Sequence, residues 1–169
     1  MPDSFKLVEV APRDGLQNES KVLSPQQRIA FIKKLNDAGM HWIEAGSFVH
    51  PKAVPQMQGS DEVADYFRAN PIDADLSYLV PNIRGLENAM KSGVRHIAVF
   101  LSATESFSKA NLGKSIEESF AMIKPVLKIA QTEGIKVRGY LSTVFKSIEG
   151  LPTSPESVAL YTARLLEMG

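Results

Sequence analysis

Five apolar runs of strand length recur along the chain: FKLVEV (5–10), HWIEAGSF (41–48), ADLSYLV (74–80), HIAVFLSA (96–103) and VRGYLSTV (137–144). Between them the period changes to that of a helix. In SPQQRIAFIKKLNDAG, Ile29, Ile32 and Leu35 form a stripe, Ser24 and Gln27 stand in capping-box spacing around Pro25, and Gly39 supplies the stop. SDEVADYFRAN predicts a short second helix, and NIRGLENAMKSG a third, with Asn82 as cap and Gly93 as terminator. A fourth, SIEESFAMIKPVLKIAQTEG, opens on Ser115 and Glu118 in the same capping spacing and carries Ile116, Phe120, Ile123, Leu127 and Ala130 on one stripe. Pro125 inside it removes a backbone donor and is expected to kink or break it. A fifth, SPESVALYTARLLEMG, repeats the Ser-Pro entry.

Strand and helix thus alternate five times. Strands joined through helices lie parallel, because parallel neighbours require a crossover. No linker-like stretch interrupts the series, so residues 1–169 read as one domain. Two architectures fit, an open doubly wound sheet or part of a (βα)8 barrel. A whole barrel takes about 250 residues, so the repeat pattern taken alone favours the open sheet. In either fold, ligands bind beyond the carboxyl ends of the strands. Arg13-Asp14, the stretch Ser47 to His50, and Thr104 to Ser106 all follow predicted strands at that edge.

Composition narrows the class. Nineteen Lys and Arg balance nineteen Asp and Glu, which argues against a nucleic-acid platform. No apolar run approaches the roughly 18 residues that span a bilayer. MPDSFKLVEV enters a strand at once and leaves no room for a targeting peptide. With no cysteine there is no disulfide framework or thiolate chemistry, which suits a cytoplasmic setting.

Several residues then stand out. Asp14 is a hard oxygen donor for a divalent cation, or a turn residue ahead of Gly15. Arg13 offers a fixed fork of donors to a carbonyl or carboxylate, or is a plain surface arginine. Glu9, Glu44 and Arg138 are charges inside apolar strands, where an unpaired charge is costly. They are expected to face one another, a site or open water, either orienting Arg13 and Asp14 or forming structural ion pairs. ATESFSKANLGK (103–114) reads as a long substrate loop leading to a helix start at Ser115. His41, His50 and His96 lack ligand spacing, and no nucleotide-binding or serine-hydrolase motif occurs.

VEVAPRDGLQNE, WIEAGSFVHPKAVPQM, LVPNIRGLENAMKSG, SIEESF and VRGYLS, in that order, resemble the amino-terminal half of the 3-hydroxy-3-methylglutaryl-CoA lyases. These are metal-dependent members of the DRE-TIM metallolyase superfamily. The resemblance covers nearly the whole chain from about residue 5. It implies an incomplete (βα)8 TIM barrel, of which this chain holds the first five βα units with parallel strands. It further implies cleavage of HMG-CoA to acetyl-CoA and acetoacetate, as in leucine degradation. By that resemblance Arg13 is the catalytic arginine that stabilises the developing enolate, and Glu44 is the strand glutamate that supports it. Asp14 is then a ligand of a divalent cation, Mg2+ or Mn2+, and Asn111 lies on the stretch that faces coenzyme A. The implied partner is an acyl-CoA substrate, with no nucleic acid and no membrane.

The chain also departs from the family pattern. The His-x-His metal pair, the Asn ligand and the glycine-rich loop with its cysteine would lie beyond Gly169, and STVFKSIEGLPTSP replaces a usually cysteine-bearing segment. Two other readings are therefore carried forward. One is a non-catalytic module of the same family that self-associates as a homo-oligomer to cover its strand edges. The other is an unrelated open α/β binding domain.

Overall fold

The computed structural model describes residues Lys6–Gly169. Four strands, β1 (Trp42–Ser47), β2 (Asp75–Leu79), β3 (His96–Ser102) and β4 (Lys136–Ser142), form one sheet in the order β1-β2-β3-β4. The helices are α1 (Pro25–Asp37), α2 (Ser60–Ala69), α3 (Ile83–Lys91), α4 (Glu105–Leu112), α5 (Ile116–Thr132) and α6 (Pro155–Glu167). Neighbours in the sheet are successive in sequence and joined through helices, the arrangement of a singly wound parallel sheet rather than a doubly wound one.

Contacts divide the chain into two compact units, one of residues up to Val80 with Arg84–Ile97, the other of Pro81–Ile83 with Ala98–Gly169. In the first, β1 and β2 pair in parallel from Trp42 opposite Asp75 to Ser47 opposite Leu79. Ile32, Ile43, Ala45, Val63, Leu86 and Ile97 are fully buried. Each large aliphatic side chain so removed from water contributes about 1.5–3 kcal/mol. Ile43 to Ser47 are all buried, as in a strand covered on both faces, which is why this run lacks a polar–apolar alternation. The Ser24 capping box on α1 forms as its spacing predicts, and Gly39 and Gly93 follow their helices with φ of 89° and 75°.

The first predicted strand contracts. Phe5 lies outside the described residues, and Lys6 to Val10 make only an isolated parallel bridge at Glu9 to Ile43. Two bonds hold it, Glu9 N–H to the Trp42 carbonyl and Glu44 N–H to the Glu9 carbonyl, each 2.8 Å. Beyond Glu9 the backbone turns into a five-residue π-helical stretch, Ala11–Gly15, which ends any extension of the ladder. The described residues therefore hold four strands where five are expected, with a bridge at Glu9 in place of the first.

In the second unit, α5 opens on Ser115 and Glu118 as a capping box and buries Ile116, Phe120, Ile123, Val126, Leu127 and Ala130. It runs through Pro125 without ending. Burial of this apolar face on both sides of Pro125 outweighs the loss of one backbone bond, about 3 kcal/mol. The predicted substrate loop is also mostly helix, since Glu105–Leu112 forms α4, closed by Gly113 at φ 66°. Its polar residues had masked a helix whose Ser108 hydroxyl bonds that of Ser119 on α5. No residue of α6 is fully buried, and Phe145, Ile148, Leu151, Leu160 and Leu166 are exposed. No helix of the described residues is long and apolar enough to cross a membrane.

One core group of the first unit makes a measurable prediction. Tyr78 is buried, its hydroxyl has no hydrogen-bond partner among the described residues, and desolvation pushes its pKa well above the ordinary 10.0, with Arg28 opposing and Asp65 adding to the shift. Below that ordinary value the phenol is neutral in both folded and unfolded chain; above it only the unfolded chain ionises, so stability falls as pH rises. Tyr78→Phe is expected to remove this part of the alkaline loss and to change stability at neutral pH by less than about 1 kcal/mol. Urea denaturation at pH 7 and pH 11 checks it; an unchanged alkaline loss in the variant counts against the assignment.

Candidate active site

The site grows from the π-helical turn. Pro12, second in the turn, has no N–H to satisfy there. The amides of Arg13, Asp14 and Gly15 all converge on the Val10 carbonyl at 3.1, 2.7 and 3.3 Å. The Glu9 carboxylate accepts from the Ala11 amide at 2.8 Å and fixes the entry. One carbonyl thus gathers three successive amides, and the turn presents Arg13 and Asp14 side by side. Short π-helical stretches are rare and recur at functional sites.

From β1, Glu44 meets this turn. The Arg13 Nε donates to Glu44 Oε1, and Arg13 Nη1 donates to Asp14 Oδ1 at 2.8 Å. The side chains of Glu44, Arg13 and Asp14 are 0%, 12% and 56% exposed, a gradient from dry interior to solvent. A carboxylate buried that deeply needs its cation nearby, and the guanidinium is thereby pinned at its Nε edge. Its Nη2 takes part in neither of these two bonds, and a third donor of the fork is thereby turned to other acceptors. Chemically, the trio presents a rigid positive donor beside one accessible carboxylate.

Three of the four predicted site residues are therefore brought together: Arg13, Asp14 and Glu44. The turn reading of Asp14 does not hold, because its carboxylate engages Arg13, while its backbone carbonyl accepts from Asn18 Nδ2 at 3.0 Å. Asn111 is exposed near the end of α4 in the second unit. The residues of the expected Glu9–Glu44–Arg138 set belong to both units. Glu9 serves the backbone of the turn, Glu44 holds Arg13, and Arg138, in the second unit, stacks its guanidinium 4.7 Å from the Tyr140 ring. His96 pairs with Asp75 at 3.0 Å, and His50 Nδ1 accepts from the Lys52 amide at 3.2 Å.

A divalent cation takes about six oxygen ligands. Asp14 offers one exposed carboxylate with one oxygen already on Arg13, and no group of three or more His, Cys, Asp or Glu among the described residues can hold a metal. These residues do not by themselves make a cation site.

Sequence reasoning missed two features. Arg28 is fully buried on α1 and donates to the Gln58 carbonyl at 3.1 Å, the Ala45 carbonyl at 3.2 Å and Ser60 Oγ at 3.0 Å. Burial lowers its pKa from the ordinary 12.5, partly offset by Tyr78. The signal was available, since Arg28 precedes Ile32 by four residues and so falls on the apolar stripe. In the second unit, Thr143 sits in the left-handed region at φ 59°, and its hydroxyl lies 3.0 Å from those of Ser102 and Thr104. A strained non-glycine residue at a strand end is invisible to any pattern.

A polar site at strand ends of a singly wound parallel sheet places the chain among α/β proteins of barrel type. Comparison with known proteins makes this specific. A profile of the HMGL-like family matches residues 4–168. The hydroxymethylglutaryl-CoA lyase of Pseudomonas mevalonii is 47% identical over 168 residues, covering 98% of this chain and 55% of its own. The crystal structure of hydroxymethylglutaryl-CoA lyase from Pseudomonas aeruginosa superposes with a TM-score of 0.91 at 43% identity, covering 97% of this chain and 54% of its own. An HMG-CoA lyase from Acinetobacter baumannii, solved in complex with coenzyme A and 3-methylmalate, superposes at 0.85 with 30% identity, covering 97% and 53%. The chain belongs to the HMGL-like family, and its fold is an incomplete (βα)8 barrel. It spans about half the length of the curated relatives it matches.

The pinned guanidinium sets an expectation for stability. Glu44→Ala removes the buried carboxylate from Arg13 and should destabilise by about 3 kcal/mol. Glu44→Gln, which keeps a neutral acceptor, should cost about half as much. Urea denaturation of both variants decides; a Glu44→Gln variant as stable as the wild type would show that the charge on Glu44 is irrelevant to holding Arg13.

Proposed function

We propose that residues 1–169 form the amino-terminal part of one barrel domain of an HMG-CoA lyase and carry its charge-stabilising residues. The observation behind this is the buried Glu44 carboxylate that holds Arg13 by its Nε and leaves Nη2 to meet an oxyanion. In the reaction, the tertiary hydroxyl of the substrate gives up its proton and the adjacent carbon–carbon bond breaks. Acetoacetate leaves, and the bonding electrons pass onto the thioester carbonyl as an enolate. A proton taken up at carbon then completes acetyl-CoA. Arg13 is read as the donor to that carbonyl oxygen while charge develops on it, in a position prepared before substrate arrives. Glu44 keeps the guanidinium from swinging away.

Asp14 is read as a single ligand of a divalent cation, Mg2+ or Mn2+, whose other ligands are not among these residues. Asn111 is read as a coenzyme A contact, supported by its exposure and by the coenzyme A bound in the Acinetobacter relative. The substrate class is an acyl-CoA, as the relatives' names indicate. Homo-oligomerisation is a further part of the reading, supported by the exposed Phe145, Leu151 and Leu166. Light scattering should then give a mass above 18.5 kDa for the purified chain.

Two measurements test the activity. Acetoacetate release from HMG-CoA by the purified chain, with Mg2+ and with EDTA, is expected to be undetectable. Metal-dependent turnover would refute the incomplete cation site. In a full-length lyase carrying these residues as its amino-terminal half, Arg13→Lys should lower kcat by about 10²–10³-fold, since lysine cannot bridge Glu44 and substrate through a fixed fork. Wild-type turnover by that variant would remove Arg13 from its role.

A further inference from the structure

The buried Arg28 has no carboxylate partner among the described residues, yet a charge kept in a dry interior without a counter-ion is expensive. Its donors go instead to the stretch of β1 just beyond Glu44. The register of β1 against β2 slips there: Glu44 faces Ser77, Gly46 faces Tyr78, and Ala45 between them has no opposite residue. That is a bulge, the device by which a strand re-aims a side chain, and it is rare in parallel pairs.

Arg28 Nη2 takes the carbonyl of the extra residue, Ala45. The same nitrogen meets Ser60 Oγ, which accepts the amide of Ser47 at 3.1 Å and donates to the Met57 carbonyl at 2.7 Å. The bulge is thus grasped on both sides of Gly46, at Ala45 by Arg28 and at Ser47 by Ser60. Gly46 itself is required by this arrangement, because a Cβ there would lie 2.5 Å from Arg28 Nη2 and 2.7 Å from Ser60 Oγ.

We propose that Arg28, acting with Ser60, is a positioning residue: it clamps the bulge at Ala45 and thereby aims the Glu44 carboxylate at Arg13. This rests on reading Arg13 and Glu44 as the working pair, but it is tested without turnover, so either idea can fail alone. The guanidinium does not touch the reacting atoms; its effect passes through one peptide of β1.

The test is nuclear magnetic resonance on the 15N-labelled chain, following the Arg13 Nε–Hε signal, assigned by its loss in Arg13→Lys. In the wild type this proton, donated to Glu44, should lie downfield and exchange slowly. In Arg28→Met, studied well below its melting temperature, it should move toward the position of exposed arginines and exchange at least about tenfold faster. Arg28→Lys should recover part of the shift, because an ammonium can still reach one carbonyl. A residue that only stabilises the fold would lower the melting temperature and leave this signal in place. That outcome, a folded Arg28→Met with an unchanged Arg13 signal, overturns the proposal. Should Arg28→Met fail to give a dispersed spectrum, Ser60→Ala carries the same readout. A displaced Arg13 signal in that milder variant supports the clamp, and an unchanged one overturns it.

Discussion

A carboxylate held in a fully dry position with a guanidinium as its counter-ion is the constraint around which the first unit is arranged. Glu44 cannot be buried in β1 unless a cation reaches it, and Arg13 reaches it only because the chain turns sharply after Glu9. The π-helical turn, the shortened first strand and the single bridge to Ile43 all follow from that need. A longer ladder would carry residues 11–14 onward along the sheet instead of turning them over its end. Extended pairing is thus given up in exchange for a charged group placed at the strand edge.

The same logic explains why the neighbourhood of the site is polar in its interior as well as at its mouth. Arg28, Ser47 and Ser60 are buried, yet each has hydrogen bonds, and those of Arg28 and Ser60 hold the backbone on either side of Gly46, at Ala45 and Ser47. Hydrogen-bonded buried networks specify one local geometry rather than several, and here both terminal nitrogens of Arg28 are bonded while its Nε has no partner among the described residues. Apolar side chains of equal volume would fill the space without dictating where a bulge falls. The aim of Glu44 thus depends on polar contacts that the aliphatic core around Ile32 and Ile43 could not supply.

The membership of the HMGL-like family and the span of about half its relatives agree with what the donor set shows. Arg13, Asp14 and Glu44 form a connected ion-paired group, while no cluster of three or more His, Cys, Asp or Glu that could hold a metal is gathered among the described residues.

Much of the architecture was legible from sequence, because it depends on local rules. Helix starts at Ser24, Ser115 and Ser154 are written in capping residues, stops at Gly39 and Gly93 in left-handed glycines, and β1 to β4 in apolar runs of strand length. The adjacency of Arg13 and Asp14 at a strand end, and the cost of burying Glu44, could likewise be read from residue types alone. Tertiary structure decided what local rules leave open. Helix through Pro125 and helix at Glu105–Leu112 depend on what those segments pack against, which outweighs a local breaker and a polar composition. That Glu44 pairs with Arg13 could not be read from sequence, because it depends on the backbone turn after Glu9 that brings the guanidinium to β1. The bulge at Ala45 and its grip by Arg28 belong to the same class, since register is a relation between strands and has no signature in either strand by itself.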